Sequence, residues 1–263
     1  MNQNDELFEK LKLKQEKITA SVTDPITNDL IKYNIVNKTT LWRAETLFNK
    51  EPITIKWIRS FKKNKTMFDV GANVGIYSIY AALTRMVKVY AFEPESNNFQ
   101  NLMQNLVINN LNELISPFPI GISNKTELTK LQIGIFEAGS SHHTVGINHL
   151  DHNTLEIISN KVSQGIFSTT LDDLCFNWKL PIPSYLKIDV DGIENKIIAE
   201  AKKTLSDPNL ESVLIEINEN REEDIFIINS LKKIGFSYDK NQVEDAKRKS
   251  GPHKGYAEYL FYK

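Results

Sequence analysis

The sequence has a single cysteine, Cys175, and no apolar run that approaches the length of a membrane-spanning helix. One cysteine cannot form an intrachain disulfide or a metal centre built from several thiolates, so we interpret Cys175 as a structural residue. A spanning helix needs about 20 predominantly apolar residues, and the charged segment 1–17 lacks the apolar core of a signal peptide. We therefore expect a cytoplasmic protein without stable membrane insertion.

The sequence also lacks an excess of charge of either sign. Its 32 Lys and Arg residues are matched by 33 Asp and Glu residues, which gives a formal net charge of -1. Because proteins that bind nucleic acid usually carry a clear basic excess, we do not expect nucleic acid as a partner. A local basic cluster, Lys247, Arg248 and Lys249, has no interleaved aromatic residues and is interpreted as a solvated loop.

The pattern along the chain is an alternation of strands and helices without internal repeats. With 41% hydrophobic residues, the 263 residues can bury the core of one α/β domain. The alternation begins near residue 66, and we predict residues 63–263 as the main domain. Residues 1–62 are predicted as an N-terminal extension or cap, with a short amphipathic helix, a strand at 30–36 and a helix at 53–61.

The main domain contains runs rich in Val and Ile, which are typical of parallel strands covered by helices on both faces. We predict an α/β fold with a seven-stranded, mostly parallel sheet. Residues 137–164 show little periodicity and are predicted as a long loop on the acceptor side, of the kind that serves a site or is mobile. The predicted strands are 66–70, 87–92, 115–122, 128–136, 185–190, 212–217 and 256–262, and the predicted helices are 74–85, 99–106, 193–205 and 222–234.

A turn with two glycines joins the first strand of this domain to its first helix. The sequence D-V-G-A-N-V-G, residues 69–75, permits a tight turn and allows a ligand to approach the backbone. Glu93 closes the next strand, where a carboxylate can accept hydrogen bonds from both hydroxyls of a ribose. The glycine fingerprint of NAD-binding proteins is not matched, because Asn73 occupies its middle position. Asp69 suits the cationic groups of S-adenosylmethionine, although the glycines and Glu93 could instead only shape a turn and end a strand.

These motifs resemble those of the FkbM-type methyltransferases. Residues 69–78 match the family's D-x-G-A-N-x-G-x-Y-S turn, and Phe92-Glu93-Pro94 is similar to its acidic second strand. Residues 186–194 resemble the K-I-D-V-[ED]-G-x-E block of the family. Weaker similarities occur at residues 50–58, 171–174 and 214–217, and the whole resemblance covers about residues 43–236.

The resemblance implies a Rossmann-like class I methyltransferase fold with S-adenosyl-L-methionine as cofactor. It also implies O-methylation of a small acceptor, which we expect to be a sugar or a precursor of a surface polysaccharide. Ser123 and Asn124 follow the third strand near the expected adenine edge, where a turn explains them equally well. The predicted cofactor-binding residues are Asp69, Gly71, Ala72, Asn73, Gly75, Tyr77, Ser78, Glu93, Pro94, Ser123, Asn124 and Asp189.

Methyl transfer to oxygen requires the protein to align the acceptor and manage its proton. Strand alternation places Lys187, Asp189 and Asp191 on one face. We predict Asp189 as the catalytic base or the carboxylate that orients the acceptor, with Lys187 as its partner; a structural ion pair is the alternative. His142 and His143 in the long loop are further catalytic candidates, since a histidine of near-neutral pKa can take a proton or bind a sugar hydroxyl.

We expect no metal, because His142, His143, His149 and Asp151 do not follow a recognised ligand spacing. Two other functions stay open at this point. A nicotinamide-dependent oxidoreductase can share the same layered sheet, and a non-catalytic module can retain a nucleoside pocket. The module is less favoured because its acidic positions would be eroded, whereas Glu93, Asp189 and the other acids are present.

Overall fold

The computed structural model describes residues 3–15, 18–141, 143–146, 149–150, 157–158, 162–251 and 254–263. None of the helices in these ranges is long and apolar enough to cross a membrane. The helices are α1 (Gln3–Gln15), α2 (Lys38–Glu45), α3 (Pro52–Arg59), α4 (Ile76–Arg85), α5 (Ser96–Ile108), α6 (Glu194–Ala199), α7 (Lys202–Ser206), α8 (Glu222–Ile234) and α9 (Lys240–Ala246). The strands are β1 (Thr19–Thr23), β2 (Leu30–Asn34), β3 (Thr66–Val70), β4 (Lys88–Phe92), β5 (Ile115–Phe118), β6 (Gly121–Ile122), β7 (Glu127–Ile133), β8 (Thr144–Val145), β9 (His149–Leu150), β10 (Ile157–Ile158), β11 (Val162–Thr169), β12 (Tyr185–Ile188), β13 (Ser212–Asn218), β14 (Ser237–Tyr238) and β15 (Tyr256–Tyr262).

A seven-stranded sheet of order β14-β15-β13-β12-β3-β4-β5 forms the centre of the fold. The strands from β13 to β5 run parallel, whereas β15 and β14 are antiparallel to their neighbours. The predicted α/β class with a mostly parallel sheet is confirmed. The chain runs from β3 outward to β5 and then returns to β12, so the strand order reverses between β3 and β12. Ligands of α/β proteins bind at such a reversal, beyond the carboxyl ends of the strands.

Residues 115–122, predicted as one strand, are divided between two sheets. β5 ends at Phe118 in the main sheet, and β6 begins at Gly121 in a separate sheet of order β6-β11-β7-β8. Pro119 lies between them, and proline cannot donate a ladder hydrogen bond. The predicted strand 128–136 corresponds to β7 of this second sheet, so its assignment to the main sheet is wrong. β14 is the seventh strand of the main sheet instead.

Residues 137–164 also differ from the predicted loop, because they include β8, β9, β10 and the beginning of β11. β11 pairs with β7 from Val162 opposite Ile133 to Ser168 opposite Glu127. The sequence does not show this pairing because the partners are 29 to 41 positions apart, and local periodicity reports only near neighbours. In addition, Leu128 on β7 is 86% exposed although Leu131 and Ile133 are buried, so apolar character alone does not identify the buried residues of this strand.

The predicted helix 193–205 consists of two helices, α6 and α7. The backbone N–H of Glu200 closes α6, and α7 begins two residues later. Ile197, Ala201 and Leu205 are all buried and continue one apolar face across the break. The buried apolar residues therefore keep a helical spacing across the point at which the backbone helix is interrupted.

The N-terminal extension packs into the core of the main domain. The β1–β2 hairpin pairs antiparallel, and Tyr33 of β2 is buried with its hydroxyl donating to the Ile76 carbonyl at 3.2 Å. Trp57 of α3 is buried in the same apolar cluster as Met67 and Ile79, and its Nε1 donates to Ser212 Oγ at 2.8 Å. The extension and the sheet therefore share one hydrophobic core.

Asp24, in the turn between β1 and β2, joins the hairpin to two helices. Its fully buried carboxylate accepts from Arg59 Nη2 of α3 at 2.8 Å and from the Tyr80 hydroxyl of α4 at 2.5 Å. Arg59 Nε also donates to the Tyr80 hydroxyl at 2.9 Å. Burial opposes ionisation, but the bond from Tyr80 and the other partners hold the pKa of Asp24 below its usual value.

We expect Asp24→Ala to lower the free energy of unfolding by about 3 kcal/mol, near the low end for a broken buried ion pair because Arg59 keeps some contact with solvent. Urea denaturation measures this change. Asp29→Ala in the same turn is the matched control, since among the described residues the Asp29 carboxylate accepts only from the exposed Thr27 hydroxyl. Equal stability of the two variants would contradict the assigned role of Asp24.

Gly71 is the first glycine of the turn after β3. A glycine is required here because the backbone just after β12 passes close to this position. Its φ is +81°, and a Cβ at this position would lie 1.9 Å from the Asp189 carbonyl oxygen. Gly75 is similar, since its Cβ would lie 2.2 Å from Leu102 Cδ1. The absence of a side chain at these two positions therefore makes room for the protein's own atoms.

We expect Gly71→Ala to destabilise the fold by about 1–3 kcal/mol more than Gly235→Ala, because the added methyl group must displace the backbone of β12. Gly235 is a matched control: its φ of +104° carries a similar left-handed penalty, but its Cβ would have nothing within 4 Å. Thermal unfolding of both variants provides the comparison, and equal losses would show that the close approach to Asp189 is not limiting.

Candidate active site

The crevice between the ends of β3 and β12 is a cavity of about 510 Å³, a size typical of small-molecule sites. The turns after the parallel strands form its floor. The extension, the second sheet and the segment before β15 form its walls. The described residues that line it are Trp42, Arg43, Lys50, Glu51, Gly71, Asn73, Phe92, Glu93, Pro94, Asn98, Gly121, Ile122, Leu131, Ser141, His143, Val145, Asp189, Val190, Asp191, Glu216, Arg248 and Ser250.

Glu93 lies at the end of β4 with its carboxylate fixed by two backbone amides. Its Oε2 accepts from the Asn73 N–H and its Oε1 from the Glu95 N–H, both at 2.8 Å. Each oxygen keeps a second lone pair for a ligand hydroxyl. Burial raises the pKa of Glu93 to about 7, even though both amides favour the ionised form. The side chain is thus placed to bind a diol, and its charge changes near neutral pH.

The apolar part of the cavity lies beside Glu93. Phe92 and Pro94 flank the carboxylate in the chain, and Ile122, Leu131 and Val145 line the cavity from the second sheet. Gln164 of β11 holds the two sheets together here, because its Nε2 donates to the Pro94 carbonyl at 2.6 Å. An apolar surface therefore lies next to a carboxylate that can accept from two hydroxyls, a combination that suits a nucleoside.

The segment 138–140 connects the glycine turn to the N-terminal extension. Asn73 Nδ2 donates to the Ser140 carbonyl at 2.7 Å, and Asn98 of α5 binds both Ser140 and the Gly139 N–H. From the other side, Arg43 Nε donates to the Gly139 carbonyl at 2.6 Å. This cluster fixes the chain that leads to Ser141 and His143 on the cavity wall.

Lys187 and Asp189 form an ion pair at the floor of the cavity. Lys187 Nζ lies 2.7 Å from Asp189 Oδ2, and the lysine side chain is 4% exposed whereas that of Asp189 is 36% exposed. Burial favours a neutral amine, but Asp189, Asp69 and Glu51 outweigh it and raise the pKa of Lys187. Burial likewise opposes ionisation of Asp189, but the charges of Lys187, Lys50 and Arg43 hold its pKa well below the usual range. The cavity therefore presents an ionised, solvent-accessible carboxylate.

Sequence reasoning missed a second group of charged residues on the same wall. Arg248 Nη2 lies 2.5 Å from Glu216 Oε1 and 3.5 Å from Glu258 Oε1. Residues 247–249 lie in a loop as predicted, but the charge of Arg248 is paired rather than solvated. Burial, with the charge of Asp189, raises the pKa of Glu216 to about 8 although Arg248 opposes this. The sequence did contain an indication of this pair, because Glu216 lies within the apolar strand β13 and a carboxylate in such a place needs a cationic partner.

The predicted site residues differ in where they lie relative to the cavity. Gly71, Asn73, Glu93, Pro94, Asp189 and His143 line the cavity, whereas His142 and Asp151 lie outside the described residues. Asp69 and Ser78 are buried against each other, with Ser78 Oγ donating to Asp69 Oδ2 at 2.6 Å. Absent from the lining are Asp69, Ala72, Gly75, Tyr77, Ser78, Ser123, Asn124 and Lys187.

The remaining predicted residues support the cavity from behind or beside it. The Lys187 ammonium lies 5.3 Å from the centre of the Tyr77 ring, and the Asp69 charge acts on the same lysine. Ser123 N–H donates to the Thr169 carbonyl at 2.9 Å, next to Gly121 and Ile122 on the cavity wall. Within the described part of the chain, no cluster of three His, Cys, Asp or Glu side chains is arranged to hold a metal.

Comparison with known proteins agrees with this geometry. The family profile "Methyltransferase FkbM domain" matches residues 69–238. The hexuronic acid methyltransferase AglP of Haloferax volcanii is 20% identical over 206 residues, which cover 78% of this chain and 78% of that protein. The crystal structure of a methyltransferase FkbM from Methylobacillus flagellatus KT has a TM-score of 0.52 at 16% identity, over 87% of this chain and 56% of that one. This chain thus matches little more than half the length of that solved chain.

The structural likeness shows the class I methyltransferase fold. Because many enzymes use Rossmann-like sheets, the family profile rather than the fold decides against an oxidoreductase. The matched span is well over half of the chain and contains the glycine turn, Glu93 and Asp189. The methyl donor is S-adenosylmethionine, and the chain belongs to the FkbM family of methyltransferases.

Proposed function

We propose that this protein transfers a methyl group from S-adenosylmethionine to a hydroxyl of a sugar acceptor, which Asp189 orients. The observation that carries the proposal is the ionised Asp189 carboxylate on the cavity wall, fixed by the buried Lys187. The relation to AglP supports a sugar acceptor, since that protein is named a hexuronic acid methyltransferase. Trp42 and several polar groups also line the cavity, and such a lining suits a hydroxylated ring.

The residues present fit the adenosyl part of the cofactor. Glu93 offers free lone pairs for two ribose hydroxyls, and Phe92, Ile122 and Val145 offer an apolar surface for adenine. Gly71 and Asn73 bring the floor of the cavity next to Asp189. When bound, S-adenosylmethionine supplies an electrophilic methyl group on a sulfonium.

Asp189 acts on the acceptor as a hydrogen-bond acceptor. Its low pKa keeps the carboxylate ionised at neutral pH, so it accepts from the reacting hydroxyl but retains protons poorly. Lys187 holds Oδ2, which leaves Oδ1 for the acceptor. Ionised Glu216, which lines the same cavity, takes the proton in this proposal; because its pKa is raised to about 8, its ionised fraction increases as the pH rises through 8.

Binding of S-adenosylhomocysteine should weaken as the pH falls through about 7. In this proposal ionised Glu93 accepts from the ribose hydroxyls. With a pKa of about 7, its ionised fraction falls about tenfold between pH 8 and pH 6, so the apparent dissociation constant should rise by a similar factor. Isothermal titration calorimetry at several pH values measures this.

Glu93→Gln provides the control for that experiment, because Glu194 also has a pKa raised to about 7 by burial. The variant should bind S-adenosylhomocysteine at least about tenfold more weakly, from the loss of charge-assisted hydrogen bonds, and without the pH dependence. A slope that persists in the variant would assign the titration to another group.

We expect Asp189→Asn to lower kcat by about 10²-fold, the usual cost of losing the alignment of a reacting group. The amide oxygen can still accept from Lys187, so the fold and S-adenosylhomocysteine binding should be retained. Transfer of labelled methyl groups to a panel of nucleotide sugars and free sugars measures the rate. Asp29→Asn, at the surface, serves as control, and wild-type turnover by Asp189→Asn with saturating acceptor would remove the role of Asp189.

A further inference from the structure

Arg43 differs from the other cations that line the cavity. Lys50 Nζ lies 2.6 Å from Glu51 Oε1, and Arg248 is paired with Glu216 and Glu258. Within the ranges that the structure describes, Arg43 has no carboxylate at ion-pair distance, and its hydrogen bond is made through Nε alone. Among the described residues, therefore, no direct ion pair compensates the charge of the Arg43 guanidinium, unlike the charges of Lys50 and Arg248.

The orientation of the Arg43 guanidinium is fixed by the segment 138–140. Its Nε donates to the Gly139 carbonyl at 2.6 Å, and Asn98 Oδ1 accepts from the Gly139 N–H at 2.7 Å. Asn37, the N-cap of α2, donates to the Ala138 carbonyl at 2.8 Å. Because Nε is occupied, the two terminal nitrogens present a planar set of donors, the geometry that binds carboxylate or phosphate oxygens through two parallel bonds.

Arg43 also lies on the acceptor side of the cavity. Its charge is among those that lower the pKa of Asp189, and the neighbouring Trp42 lines the same wall with 46% of its surface exposed. An aromatic face beside a donor fork suits a sugar ring that carries an anionic group. The carboxylates of lowered pKa on the wall, Glu51 and Asp189, would repel such an anion unless a cation compensated its charge.

We propose that Arg43 is an anion-recognition site, and that the acceptor is an acidic sugar whose anionic oxygens bind the Arg43 guanidinium. The proposal rests on the proposed function, since it places this group on the same sugar unit as the hydroxyl that Asp189 orients. The shared chemistry is a carboxylate or a phosphate on the sugar. The recognition site lies in the N-terminal extension, outside the span that the family profile matches.

The test compares acceptors that differ only at one carbon: methyl glycosides of glucose, of glucuronic acid and of glucose 6-phosphate, with the galacto and manno series in parallel. For each, kcat/KM is measured with labelled S-adenosylmethionine. We expect Arg43→Ala to lower kcat/KM for the acidic acceptor by about 10- to 100-fold, the effect of losing charge-assisted hydrogen bonds, and to change that for the neutral sugar less than about twofold. The acidic acceptor that shows this loss identifies carboxylate or phosphate as the anion.

Two variants separate charge from structure. Arg43→Gln can still donate to the Gly139 carbonyl but has no charge, so it should lose the acidic acceptor as Arg43→Ala does. Lys38→Ala removes a cation from the exposed start of the same helix and should behave as wild type. A loss confined to Arg43→Ala, or equal losses on acidic and neutral sugars, would assign Arg43 a structural role and overturn the proposal.

Binding measured without turnover distinguishes failure of this proposal from failure of the proposed function. Calorimetry of the S-adenosylhomocysteine complex with the same sugars should show an affinity for the acidic sugar that Arg43→Gln abolishes. If this binding occurs but no hydroxyl is methylated, the recognition site stands and the proposed O-methylation fails. If neutral and acidic sugars are methylated equally by wild type and Arg43→Gln, or if wild type binds no acidic sugar, the recognition site fails.

Discussion

The parallel pairing of β3 with β12 is the contact on which the site depends. Its register sets Asp69 opposite Lys187 and Val70 opposite Ile188, so the residues that follow each strand emerge side by side at one edge of the sheet. Gly71 allows this approach, because any side chain there would overlap the Asp189 carbonyl. The cofactor turn and the acidic residue of the acceptor side are thereby held in one rigid backbone unit.

Charge compensation is the second constraint. Buried Lys187 is stable only because Asp189, Asp69 and Glu51 surround it, and it in turn keeps Asp189 ionised at the cavity surface. Glu216 and Glu258 share Arg248 in the same way. The resulting wall contains Asp189, whose pKa is lowered, and Glu216, whose pKa is raised, and in the proposed function this difference separates orientation of a hydroxyl from removal of its proton.

The elements added to the α/β sheet close the cavity around this floor. The second sheet supplies apolar residues and is tied to the loop after Glu93 through Gln164. The extension supplies Trp42, Arg43, Lys50 and Glu51, and the segment 138–140 joins it to Asn73 and Asn98. Hydrogen bonds therefore link the extension to the glycine turn, although the two are far apart in the sequence.

The sequence by itself determined the alternation of strands and helices, the glycine turn, the place of Glu93 and the pairing of Lys187 with Asp189. These features are encoded by residues within a few positions of one another, where strand and helix periods and turn preferences act. Only the tertiary structure decided the division of residues 115–122 between two sheets, the β7–β11 pairing and the roles of Arg248 and Arg43. Arg43 and Gly139 are 96 positions apart, and contacts of that range arise from packing and charge compensation, which leave no periodic trace in the chain.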